Sequence, residues 1–372
     1  MTIAEDDRLM DEALSLAQRA AGRTSPNPLV GALVVSEGRV VGRGFHRAAG
    51  EAHAEVVALR EAGEDSRGAT MYVNLEPCAH TGRTGPCTEA IVAAGVRRVV
   101  AAMVDPDPQV EGRGIARLRA AGVAVDVGVR EAAARRANEF YVKHRETGLP
   151  FVTLKWAMSL DGKISVDRGV PTAITGEEAR RFAHELRNTY DAVLVGVQTV
   201  LTDDPLLTCR LPSGRDPLRV ILDSRLRTPA TARAVTVASS AKTLVVTTAG
   251  APHDRLGALR GAGAEVLVQD HEQGRVRLRP FLQVLAQRGV LSVLIEGGGT
   301  VNASALAEGV IDKVIALIAP RLIGGEHAPT PVGGAALWER DGAVRLHKTR
   351  ILTLGEDLAV EGYVPADVHR AH

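Results

Sequence analysis

Aromatic residues make up only 3% of this 372-residue chain. Cysteine is scarcer still, at Cys78, Cys87 and Cys209. Neither sign of charge dominates: 45 Lys and Arg stand against 44 Asp and Glu, a net charge of +1. No run approaches the ~18 apolar residues of a membrane span. Each scarcity excludes something. A nucleic-acid binder shows a basic stripe with stacking aromatics, and neither is present. An odd cysteine count argues against a disulfide framework and for metal or thiol chemistry. Residues Met1 to Met10 are acidic and lack an apolar core, so they do not read as a secretory signal. The expectation is a cytoplasmic protein acting on a small molecule, with no nucleic-acid or membrane partner.

What is present is an ordinary apolar fraction of 45%, enough for each of two or three domains to bury its own core. The first stretch reads as a helix over Asp6–Ala21, strands at Leu29–Val35 and Val40–Phe45, a helix over Ala54–Ala62 and a strand at Met71–Leu75. A helix at Thr88–Ala94, a strand at Arg97–Val104, a further helix and strand ending near Val129, and a polar helix Glu131–Arg145 leading outward complete it. Such an order predicts a sheet covered by helices. Thr147-Gly148-Leu149-Pro150 breaks the pattern, so domains are expected over 1–147 and 148–372. The second series predicts strands at Phe151–Ala157, Ala192–Val197, Leu218–Leu222, Thr243–Thr248, Ala264–Val268 and Ser292–Ile295. Thr175 with Glu178 forms a capping box for a helix to Asn188. Val344–Thr353 and Leu358–Val364 predict an antiparallel edge hairpin.

Three potential zinc ligands fall in two clusters. His53-Ala54-Glu55 opens a helix. Glu76-Pro77-Cys78 is followed, eight residues on, by Pro86-Cys87 before another helix. One His and two Cys fill three corners of a tetrahedral zinc, and a free fourth corner marks a catalytic site. The start of the second helix favours a thiolate at Cys87. Zinc lowers the pKa of its water to roughly 7. Glu55, two residues beyond His53, is placed to take that proton and pass it to a departing amine. The pattern matches the known H-x-E with P-C-x-x-C signature of zinc nucleobase deaminases, apart from the wider cysteine spacing. A structural zinc with His80 as fourth ligand is the bland alternative.

In the second domain, Glu296-Gly297-Gly298-Gly299-Thr300 lies between an apolar strand and a helix. Glycines let backbone approach a phosphate at a helix N-terminus, but the run lacks the full dinucleotide fingerprint and reads equally as a tight turn.

The segment Glu76-Pro-Cys-Ala-His-Thr-Gly-Arg-Thr-Gly-Pro-Cys87 resembles the corresponding loop of bifunctional riboflavin-biosynthesis deaminase–reductases. So do Pro26-Asn27-Pro28-Leu29-Val30-Gly31, and Val104-Asp105-Pro106-Asp107-Pro108-Gln109-Val110 with Gly112-Arg113-Gly114. The likeness continues through Lys155, Ser159-Leu160-Asp161-Gly162-Lys163, Thr202-Asp203-Asp204-Pro205 and Glu296-Gly297-Gly298, in the same order. The resemblance implies an α/β protein: a cytidine-deaminase-like three-layer α/β/α domain, then a dihydrofolate-reductase-like α/β domain. It implies zinc and NADPH as cofactors, and a homo-oligomer. The first domain would deaminate the 2-amino group of a diaminopyrimidinone ribosylamine 5′-phosphate; the second would reduce the ribosyl group to ribityl. Cofactor positions carry over to Ala157, Ala173, Thr199, Asp203, Ser224, Gly298, Gly299, Thr300, Val301, Asn302, Ala303 and Ser304. Substrate positions in the reductase carry over to Lys155, Pro171, Arg187, Leu207, Arg210 and Glu296. Asn27, His46 and Arg83 would surround the substrate in the deaminase. Ala173 stands where the family often has an aromatic, which removes a stacking surface for nicotinamide. Two rivals remain: a nucleoside or tRNA deaminase fused to an unrelated reductase, and a zinc-stabilised binding module. Weak basic character opposes tRNA, and Glu55 with an open coordination position opposes the module.

Overall fold

The computed structural model describes residues 2–80, 85–269, 271–272, 274–334 and 343–365. The chain divides into two units, Met1–Leu149 and Pro150–His372. Among the described residues no helix is long and apolar enough to cross a membrane.

The first unit runs α1 (Ile3–Gln18), β1 (Gly31–Ser36), β2 (Arg39–Phe45), α2 (Ala54–Ala62), β3 (Thr70–Val73), α3 (Cys87–Ala93), β4 (Arg98–Ala101), α4 (Arg113–Ala120), β5 (Ala124–Val127), α5 (Glu131–Ala137) and α6 (Glu139–Thr147). Its sheet has the order β2-β1-β3-β4-β5. The β1 strand is antiparallel to both neighbours, whereas β3, β4 and β5 are parallel. Side chains alternate across a strand, so both faces need cover. Ala32, Val34, Met71, Val73, Val99 and Ala101 pack with Ala58, Ile91 and Leu118 of α2, α3 and α4. On the other face the Tyr72 hydroxyl donates to Asp6 of α1, which Arg98 also reaches at 2.8 Å. The result is three layers, α/β/α. Glycine permits the close approach of α2: a Cβ on Gly44 would fall 2.1 Å from the Ala54 carbonyl oxygen. That approach seats the start of α2, and with it His53, against the sheet.

The polar segment after β5 departs from expectation. It is two helices broken at Asn138, and the second does not lead away. Asn138 is buried; its Oδ1 accepts the Leu29 N–H at 2.7 Å and its Nδ2 donates to the Leu29 carbonyl at 2.9 Å. This long-range clamp turns α6 back so that Tyr141 is buried.

The second unit contains β6 (Phe151–Ser159), α7 (Glu177–Thr189), β7 (Ala192–Gly196), α8 (Val197–Asp203), β8 (Leu218–Leu222), α9 (Arg233–Thr236), β9 (Thr243–Thr247), α10 (His253–Gly261), β10 (Glu265–Val268), β11 (His271–Glu272), β12 (Arg275–Val276), α11 (Leu278–Gln287), β13 (Ser292–Ile295), α12 (Gly299–Ala307), β14 (Lys313–Ala319), β15 (His347–Leu354) and β16 (Asp357–Tyr363). Its large sheet has the order β10-β9-β8-β7-β13-β6-β14-β16-β15. All pairs are parallel except β14–β16 and β16–β15. The edge hairpin stands where the sequence places it. The β14 strand, between β6 and β16, is missing from the expected set, because a short apolar run has no period to separate strand from helix. The capping box is also overturned. Gly176, not Thr175, is the N-cap of α7, and no side chain caps it locally. Instead the Gly176 N–H donates to Asp357 Oδ2 at 2.7 Å, 181 residues away.

Parallel sheets hold ligands beyond the carboxyl ends of their strands, where the strand order switches direction. Here β13 inserts between β6 and β7, so the ends of β7, β8 and β13 frame such a crevice.

Candidate active sites

In the first unit, α2 and α3 bring their starts together. His53 is the N-cap of α2 and Cys87 is the first residue of α3. Cys78 comes from the loop after β3. The His53 Nδ1 lies 3.1 Å from Cys87 Sγ and 3.6 Å from Cys78 Sγ. All three donor atoms lie within 4.8 Å of one another. Ligand bonds of about 2.0–2.3 Å in a tetrahedron put donors roughly 3.5–3.8 Å apart, so the triangle fits one zinc ion. His80 is not part of this donor group, which removes the candidate fourth ligand of the structural-zinc reading. The helix start acts on a different sulfur from the one expected: the Cys87 N–H donates to Cys78 Sγ at 3.4 Å. The Cys87 thiol first, then His53, and after them this N–H hold the Cys78 thiol down at about 4.

These residues open into a cavity of about 370 Å³. Glu55 lines it while only 3% exposed, and burial pushes its carboxyl up from the usual range. Asn27 and His46 line it as well. The Asn27 Nδ2 donates to His46 Nε2 at 3.0 Å, and His46 Nδ1 lies 3.2 Å from the Ala52 carbonyl. Together these contacts select the neutral imidazole with its proton on Nδ1, and burial, named first among the causes, keeps its pKa low. The His46 and His53 rings meet edge to face at 5.5 Å. Arg83 lies outside the described residues.

The rest of the lining adds groups to which the sequence assigns no role. Glu76, Asp105, Asp107, Tyr141 and Arg145 line the cavity. The Tyr141 hydroxyl and the Asp107 N–H both donate to Asp105 Oδ1, at 3.0 and 2.9 Å. Arg145 lies over the Tyr141 ring at 5.1 Å and 3.3 Å from Asp107. Among the described lining residues Arg145 is the one arginine or lysine. The i, i+4 spacing of Tyr141 and Arg145 was a signal available in the sequence, but the clamp at Asn138 that aims them was not.

In the second unit, Gly298, Gly299 and Thr300 line two neighbouring cavities. One, of about 610 Å³, also holds Ser224, Val301 and Ser304. The other, of about 820 Å³, holds Thr199 and Asp203. Both lie at the start of α12, which suits a phosphate. Asn302 points inward instead: it is 1% exposed and its Nδ2 donates to the Pro331 carbonyl at 2.8 Å. Ala303 follows it on α12. Ala157 is half-buried on β6, while Ala173 and Pro171 lie exposed in the preceding loop of α7.

Arg187 and Glu296 form a side-on pair, with Nε and Nη2 donating to the two carboxylate oxygens at 2.7 and 2.6 Å. Lys155 Nζ lies 3.9 Å from the same carboxylate. Burial works to raise the Glu296 carboxyl, yet Arg187 and Lys155 hold it at about 2. Arg210 is exposed and its Nε donates to His184 Nε2 at 3.0 Å, a partner not foreseen. Leu207 is 2% exposed, a core position.

Residues 3–103 match the cytidine and deoxycytidylate deaminase zinc-binding region, and residues 150–360 match the RibD C-terminal domain. The riboflavin biosynthesis protein RibD of Aquifex aeolicus is 42% identical over 95% of this chain and 97% of its own. That of Synechocystis is 44% identical over 96% of each. The solved structure of Acinetobacter baumannii RibD superposes with a TM-score of 0.87, 37% identity, and coverage of 98% and 100%. A Thermotoga maritima diaminohydroxyphosphoribosylaminopyrimidine deaminase/5-amino-6-(5-phosphoribosylamino)uracil reductase gives 0.86, 33%, and 98% and 99%. With one family model spanning more than half of its residues and relatives matched along nearly its whole length, the chain belongs to the RibD family of riboflavin biosynthesis proteins.

Proposed function

We propose that this chain performs two consecutive reactions of riboflavin biosynthesis. The first is zinc-dependent hydrolytic deamination of 2,5-diamino-6-ribosylamino-4(3H)-pyrimidinone 5′-phosphate. The second is NADPH-dependent reduction of the ribosyl to the ribityl side chain. The observation that carries this reading is the triangle of His53, Cys78 and Cys87 opening into a cavity with buried Glu55.

Zinc held by His53, Cys78 and Cys87 supplies the Lewis acidity that makes water acidic near neutral pH. Glu55 takes a proton from the water as its oxygen bonds to the ring carbon bearing the 2-amino group. It then delivers that proton to the nitrogen as the carbon–nitrogen bond breaks and ammonia leaves. The raised carboxyl of Glu55 suits a group that must both accept and return a proton. Asn27 and His46 orient the pyrimidine. Arg145 joins Arg83 as a cation for the 5′-phosphate, since a dianion needs a partner in a cavity otherwise rich in carboxylates.

NADPH supplies hydride to the ribosyl carbon in the second unit. Gly298 through Val301 and Ser304, with Thr199, Asp203 and Ser224, hold the cofactor, and buried Asn302 braces the start of α12 through the Pro331 carbonyl. Ala157 and Ala173 border it without stacking. Lys155, Pro171, Arg187, Arg210 and Glu296 make the substrate side, and Leu207 stays a buried core residue. Both Nε and Nη2 of Arg187 are already engaged side-on by Glu296. The phosphate therefore falls to exposed Arg210. The enzyme is proposed to work as a cytoplasmic homo-oligomer on small molecules alone, with a domain boundary at residues 147–148.

A mass-spectrometric product assay on the diaminopyrimidinone phosphate tests the scheme. Without NADPH the product exchanges an amino group for a carbonyl oxygen; with NADPH it also gains two hydrogens. Recovery of unchanged substrate under both conditions would refute the reading.

A further inference from the structure

Three arginines converge on the 610 Å³ cavity of the second unit: Arg225, Arg227 and Arg275. The first two sit on the turn after β8. Leu226 between them is 1% exposed and has a φ of 49°. Burying Leu226 turns both neighbours outward, and both arginines are exposed. The turn is held firmly. The Leu226 N–H donates to the Asp223 carbonyl at 3.1 Å, and Asp223 Oδ2 accepts both the N–H and the hydroxyl of Thr228, at 2.6 and 2.7 Å.

Arg275 arrives from a different element, the β11–β12 hairpin. Val276 is buried and its N–H donates to Ser224 Oγ at 3.3 Å. That hydrogen bond ties the hairpin to the turn bearing the other two arginines. Among the described residues none of the three guanidinium groups meets a carboxylate, although nearby Arg277 lies 3.8 Å from Glu272. Three like charges sharing one cavity repel each other. A dianion of small size relieves that repulsion, and guanidinium groups match phosphate oxygens two at a time. The same cavity reaches Gly298, Gly299 and Thr300 at the start of α12, which suits the pyrophosphate of a dinucleotide. The arginine end is left for a second, monoester phosphate.

We propose that Arg275, with Arg225 and Arg227, forms the site for the 2′-phosphate of NADPH, and that the β11–β12 hairpin is the element that selects NADPH over NADH. This rests on the NADPH-dependent reading of the second unit. It assigns cofactor choice to a hairpin separate from the glycine-rich turn.

Calorimetric titration of the zinc-loaded full chain with NADP⁺, NAD⁺ and 2′,5′-ADP tests it. The wild type should bind NADP⁺ more tightly than NAD⁺, and equal affinity would overturn the NADPH reading itself together with the proposal. Given that preference, Arg275→Ala should weaken NADP⁺ and 2′,5′-ADP by about tenfold or more, the loss expected for charge-assisted hydrogen bonds. Its NAD⁺ affinity should stay within about twofold. Arg277→Ala, which removes a charge two residues on, at the N-cap of α11 and outside the cavity lining, should change none of the three. Equal losses for NADP⁺ and NAD⁺, unchanged NADP⁺ binding in Arg275→Ala, or an equal effect of Arg277→Ala would each overturn the assignment while leaving NADPH use intact.

Discussion

Gly114 lies against Pro77 with no room for a side chain. A Cβ there would fall 1.9 Å from the Pro77 carbonyl oxygen, and the Gly114 N–H donates to Glu76 Oε1 at 2.8 Å. Glu76 also accepts the N–H groups of Asp105, Gly112 and Ile115, at 3.2, 2.9 and 3.2 Å. The segment carrying Cys78 is therefore locked to the start of α4. Gly114→Ala must push the two apart, at a cost of about 1–3 kcal/mol from overpacking and more from lengthened hydrogen bonds. Calorimetry should show a lower melting temperature for the first unit, and metal analysis a lower zinc content. Wild-type values for both would show that this contact does not position the cysteine.

Glu55→Gln keeps the size of the side chain and removes its proton-accepting carboxylate. His53, Cys78 and Cys87 are untouched, so zinc should stay bound. Deamination should fall by ~10²–10⁴-fold, the usual loss on removing a general acid–base group. Reduction of independently supplied deaminated substrate should continue. Loss of zinc along with activity would make Glu55 a ligand, and near-normal deamination would end its proposed role.

Asp105 is 5% exposed, and burial pushes its carboxyl up to about 6 from 3.8. The native state thus favours the protonated acid. Its contribution to stability is complete below pH 3.8 and is lost as pH rises through about 6. Two pKa units correspond to roughly 3 kcal/mol. Asp105→Asn keeps an oxygen for Tyr141 and Asp107 but does not titrate. Denaturation between pH 4 and 7 should show wild type losing stability relative to Asp105→Asn by about that amount. A constant difference across the range would mean that Asp105 titrates normally.

Glu296→Ala removes the one carboxylate shared by Arg187 and Lys155, whose side chains are 15% and 11% exposed. Leaving buried charge unbalanced costs about 3–5 kcal/mol. The unfolding transition of the second unit should shift to lower denaturant by that amount. A loss under about 1 kcal/mol would show that the pair is solvated.

Local pattern was enough for some of this protein. His53-Ala-Glu55 and the two Pro-Cys pairs mark helix starts and loop ends, where a ligand's place depends on a few neighbouring residues. The same holds for the five strands of the first sheet and for the edge hairpin, whose turns are written in adjacent glycines and acids. Partners chosen across long separations were beyond that reach. Asn138 clamps Leu29 and so turns Tyr141 and Arg145 into the deaminase cavity. Asp357 takes the cap of α7 from Thr175. Val276 reaches Ser224 and brings Arg275 beside Arg225 and Arg227. Residue type and spacing determined which chemistry the chain carries. The tertiary structure decided which distant groups face it, because each of these buried donors and acceptors had to find its partner wherever the packed sheets left one.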